Sequence, residues 1–151
     1  MDQDLFRQTY REVNERGCAY EKSLLTNQCN CSQAERFCIA EREGVRCLSE
    51  QGHERCVELL SLLREQARFA LRTDQDRSIL PHGKAMRIQV GGLRGVAHCI
   101  NEEGNPPHTI DDVYTLLIAA IDKFGALNSL PFSRIMQQVA AYRGRPRSRR
   151  R

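Results

Sequence analysis

The chain has no tryptophan, few aromatic residues of any kind and no Cys-x-x-Cys pair. The missing pair excludes the usual zinc-ribbon and zinc-knuckle spacings, and the common ferredoxin runs are absent with it. Long hydrophobic runs are absent too. The longest apolar patch, Leu116 to Ile121, is far too short to cross a bilayer. The start, Met1-Asp2-Gln3-Asp4, is acidic and leads into no apolar segment, so it does not read as a secretory signal and the expected location is cytoplasmic. No Ser/His/Asp or Cys/His nucleophile arrangement can be assigned by spacing, since such partners meet in space. The sequence marks no catalytic residue and leans away from an enzyme.

What the chain does have is sulfur in one place. Six of its seven cysteines, Cys18, Cys29, Cys31, Cys38, Cys47 and Cys56, fall in one short segment, and Cys99 stands apart. Thiolates are soft ligands for zinc and iron–sulfur clusters, and they are also redox groups. An odd number of thiols in a reducing compartment favours ligands or free thiols over a disulfide framework. The plain alternative is that they are small buried hydrophobes, which suits Cys56 on an apolar helix face.

The expected ligands are Cys29, Cys31, Cys38 and Cys47, with Cys18, Cys56 and His53 in reserve. Ser32 to Glu43 has helix-forming composition, and Gly44 follows as a C-cap. Cys31 and Cys38 are seven residues apart, so on one helix their Cα atoms stand about 10.5 Å apart. Two sulfurs on a single zinc are less than about 4.6 Å apart. That mismatch favours an iron–sulfur cluster as the cofactor, with zinc second.

The predicted fold class is all-α: a compact irregular bundle of about five or six helices over residues 1–142, then a disordered basic tail over 143–151. Phe6, Tyr10, Val13, Gly17, Tyr20 and Leu24 form a helical stripe that Gly17 can break. A long helix is predicted from about His53 to Arg72, through Cys56, Leu59, Leu60, Leu63 and Ala67. Residues 73–83 read as a linker and possible sub-boundary. Lys84 to Ile100 fits either period, and helix is favoured because a lone strand has no partner. Thr109 with Asp112 resembles a capping pair opening a helix through Ile121 to Gly125. Ser129 and Pro131 open the last helix.

Three other patterns carry less. Glu50-x-x-His53 is half of a di-iron carboxylate–histidine pattern, with no second copy. Arg87 to Gly95 could hold an anion on backbone N–H groups with help from Arg94, against the plainer reading of close packing at its glycines. His98-Cys99 could lend a distant ligand.

The positive net charge of +4 comes from the end of the chain. Arg143, Arg145, Arg147, Arg149, Arg150 and Arg151 form a basic tail, and without them acids slightly outnumber bases. Arg143-Gly144-Arg145-Pro146 resembles the core of an AT-hook, which lays arginines in a narrow A·T minor groove. A basic end on a cysteine-rich helical body is also similar to the WhiB-like regulators. Their Cys-x-x-Cys pair and tryptophan-bearing turn are missing here, so the likeness is analogy only. It implies a cluster-bearing, nucleic-acid-binding regulator.

The leading functional expectation is a small iron–sulfur protein acting in electron transfer or as a redox accessory, with a protein partner. The alternatives are a redox-responsive nucleic-acid binder using the tail and a metal-free helical adaptor.

Overall fold

A computed structural model of the chain describes residues 3–13, 16–70 and 82–143. Most of the predicted linker and all of the arginine tail beyond Arg143 lie outside the described residues. The structure is mostly helical, but it also contains a two-stranded antiparallel sheet, so it is not strictly all-α.

The first stripe divides at Gly17 into α1 (Gln3–Val13) and α2 (Glu21–Leu25). Between them, Gly17 bridges Arg46 in antiparallel sense.

The main departure lies at residues 32–43, predicted as a helix. The chain there enters a hairpin of β1 (Ala34–Ile39) and β2 (Arg42–Cys47), with Ala34 opposite Cys47 and Ile39 opposite Arg42. Ala40 and Glu41 form the connection with φ of 47° and 72°. A two-residue hairpin loop of this kind needs positive φ at both positions and usually recruits Asn-Gly. Alanine and glutamate are helix formers, so the turn left no local mark in the sequence. Tertiary pairing decides instead. The other edge of β2 is engaged by the Gly17 segment, where Cys18 N–H donates to Val45 O at 2.9 Å and Cys47 N–H to Arg16 O at 2.8 Å. Val45 is fully buried. Arg36 secures β1 by donating to Leu24 O at 2.8 Å.

The long helix is α3 (Glu50–Ala70), close to its predicted span. Ser49 caps it, its Oγ accepting Gly52 N–H at 3.0 Å. Its buried face carries Leu59, Leu60, Leu63 and Ala67.

Lys84 to Ile100 is helical, as favoured. α4 (His82–Met86) passes through a π-helical turn at Arg87–Gly91 into α5 (Gly92–Ile100). The strand–turn–helix that an anion loop needs is therefore not formed there. The glycines serve packing. A Cβ on Gly91 would stand 2.7 Å from Val139 Cα, and one on Gly95 2.8 Å from Ile135 Cα. Both neighbours belong to α7 (Phe132–Ala141), which lies directly on the glycine face.

Asp112 itself caps α6 (Val113–Phe124), its carboxylate accepting Tyr114 N–H at 3.1 Å. The predicted pairing with Thr109 is thus corrected, because the helix begins after Asp112. One apolar cluster joins α2, β2 and the C-terminal helices. A buried Ser23 hydroxyl adds a polar tie, donating to Gln89 Oε1 at 2.7 Å.

Candidate metal centre

Four cysteines line one small, partly open cavity of about 20 Å³: Cys18, Cys31, Cys47 and Cys56. His53, Tyr20 and the aliphatic side chains of Leu24, Ala34 and Val113 form other parts of its wall. Each thiol comes from a different element. Cys18 sits on the segment paired to β2. Cys47 ends β2, and its Sγ donates to Ser49 O at 3.2 Å. Cys56 lies in the second turn of α3, one turn after His53.

Cys31 is held by partners far along the chain. Asn30 N–H donates to Ile110 O at 2.8 Å. Ser32 N–H donates to the Asp112 carboxylate at 2.9 Å, so the residue that caps α6 also pins this loop. His53 Nε2 lies 3.1 Å from Gly17 O. A carbonyl can only accept, so Nε2 is the donor in this contact.

The structure thus gathers Cys31 and Cys47 from the expected ligand set with Cys18, Cys56 and His53 from the reserve. Cys29 is buried behind them, in a parallel bridge with Ile110, and does not line the cavity. Cys38 is exposed opposite Glu43, near the hairpin turn. It shares a sheet face with Ala34 but stands four residues further out, about 13 Å along the strand. The helical spacing argument between Cys31 and Cys38 therefore lapses, and with it the geometric objection to zinc. Cys18 and Cys56 open and close the cysteine-rich segment. Only the pairing of the Gly17 segment with β2, and the packing of α3 beside it, brings them together.

Burial governs the thiols. It pushes Cys18 up to about 12, with the charges of Cys31 and Cys47 adding and the Tyr20 backbone N–H opposing. Burial likewise raises Cys56 strongly, and the charges of Cys18, Cys31, Cys47 and Cys29 push the same way. Cys31 is raised by burial against the N–H groups of Gln33 and Tyr114. Without a metal these are neutral thiols, which are poor nucleophiles. Their mutual influence places them in one electrostatic neighbourhood. A bound cation reverses this logic, since a coordinating thiol gives up its proton.

Among the described residues, no group of three or more His, Cys, Asp or Glu side chains stands in metal-holding geometry.

Arg143 ends its helix by donating to Ala140 O and Tyr142 O, both at 3.3 Å. The arginines from 145 onward lie outside the described residues. Among the described residues, no helix is long and apolar enough to cross a membrane. No protein-family profile, curated protein sequence or solved structure matches this chain.

Proposed function

We propose that this protein binds a metal through the thiolates of Cys18, Cys31, Cys47 and Cys56, in the form of an iron–sulfur cluster serving electron transfer or a redox accessory role. The observation that supports a metal is the convergence of four thiols from four separate parts of the chain on one small cavity. A cluster presents several metal corners, so thiols spread around a wall suit it. Leu48 and Val57 support a protein partner. Both are apolar and exposed, and they directly follow Cys47 and Cys56.

Zinc is the second reading, favoured by the size of the cavity. About 20 Å³ takes roughly one water-sized sphere, which is room for one ion, whereas a cluster needs the thiols to move outward.

Purification without oxygen, followed by an absorption spectrum and analysis for iron, sulfide and zinc, tests both. Brown protein with iron and sulfide supports the cluster. Colourless protein holding zinc supports the second reading. A folded product free of either metal overturns both.

A further inference from the structure

An open groove of about 680 Å³ runs along α3, with Ala19 also on its wall. The described residues divide along its length. Val57 and Leu60 line the end nearer the start of the helix, and Arg64, Glu65 and Arg68 line the end nearer its finish. From Val57 to Arg68 the helix rises about 16.5 Å. A small molecule needs a pocket that covers most of its surface. A long open groove beside a helix suits a second helix, laid in by its apolar face.

The arginines are the part the fold does not account for. Arg64 and Arg68 are exposed and one helical turn apart, and like charges at that spacing repel. Neither makes a hydrogen bond or ion pair with another described residue. Arg68 lies in the last turn, where a cation offsets the negative end of the helix. Arg64 has no such role. Glu65 stands beside them, but two arginines against one glutamate leave this end of the groove positive. The other end is apolar, with Leu60 buried and Val57 47% exposed.

We infer that the groove receives an acidic amphipathic helix of a partner protein. The apolar side chains of that helix cover Val57 and Leu60, and its carboxylates, a turn or two away, pair with Arg64 and Arg68. The planar fork of arginine takes a carboxylate through two parallel hydrogen bonds. The same charges turn basic segments away, which makes the groove selective. The inference rests on the protein-partner part of the reading above and not on the metal. Ala19 borders both this groove and the thiol cavity, so the seated helix lies beside the residue that follows Cys18.

The probe is a helical peptide with leucine at i, i+3, i+4 and i+7 and glutamate at the flanking positions. Its control carries lysine in place of glutamate. In labelled full-length protein, the amide signals of Val57, Ser61, Arg64 and Arg68 should shift with the glutamate peptide alone. Arg64→Glu together with Arg68→Glu changes exposed side chains and leaves the core intact. It should weaken the glutamate peptide by about tenfold or more and admit the lysine peptide. No shift, shifts confined to the C-terminal arginines, equal binding of the two peptides, or an unchanged affinity in the double variant overturns the inference. A DNA duplex that moves the same α3 signals as strongly as the glutamate peptide also overturns it, since the groove would then take any polyanion. Metal content is measured separately, so the centre and the groove stand or fall apart.

Discussion

Cys56 and Cys99 both sit on helices and both lie in or against the same apolar cluster, yet their surroundings differ in kind. Cys99 is 1% exposed beside α6, where its own carbonyl accepts Lys123 Nζ at 2.8 Å. The neighbouring charges that act on it come from Arg134, Glu102 and Lys123, and none from another thiol. It behaves as a small core hydrophobe. Cys56 faces three other thiols across a gap. The same contrast separates the two ends of the molecule. Around Gly91 and Gly95 the backbones approach until one methyl group would strike α7. Around Cys18 and Cys31 the packing leaves a cavity. Carbon fills the C-terminal part, and sulfur borders a space in the N-terminal part.

Substitution of the thiols gives the largest test of that contrast. Cys56→Ala should abolish metal binding in anaerobically purified protein, whereas Cys38→Ala and Cys99→Ala should keep the wild-type metal content. Equal loss from Cys38→Ala would erase the distinction between cavity and surface sulfur.

The response to pH should divide the same way. In metal-free protein the raised thiols are protonated in the folded state. Their contribution is complete below about 9, the ordinary thiol value, and is lost as pH climbs toward 12. Denaturant titrations should show metal-free stability falling over that window. In the metal-loaded protein the ligands are already thiolates, so acid, not alkali, should release the metal.

Gly91→Ala probes the close-packed half alone. Its methyl group would meet α7 backbone at 2.7 Å. Overpacking of this kind costs about 1–3 kcal/mol. The midpoint of thermal unfolding should drop while metal content per folded chain stays constant.

The smallest effect belongs to Asp112→Ala, which touches both regions. Loss of a helix cap costs about 1 kcal/mol, and the Ser32 N–H loses its acceptor as well. Burial works against the Asp112 carboxylate, but the N–H groups of Ser32 and Tyr114 outweigh it and hold its pKa below the usual value. The contribution is present above the ordinary carboxylate value and is lost as pH falls below it, through the lowered folded-state value. At neutral pH the variant should therefore be less stable than wild type, with the difference closing in acid.

Much of the helical part was legible because its periodicity is strong. Leu59, Leu63 and Ala67 mark α3 in sequence as they do in space. The hairpin was not, because Ala40-Glu41 imitates a helix and the pairing that overrides it comes from residues 16–18. The site was half legible. Cysteine density located the segment, but the grouping of Cys18 with Cys56 depends on strand pairing and helix packing that no local spacing encodes. Cys38, attractive by its distance from Cys31, is carried outward by the strand that replaced the expected helix.

The bond from Ser32 to Asp112 spans 80 residues. During synthesis, every thiol of the cavity leaves the ribosome long before its lock is made. The loop that carries Cys31 therefore gains this anchor only when the last third of the polypeptide is present.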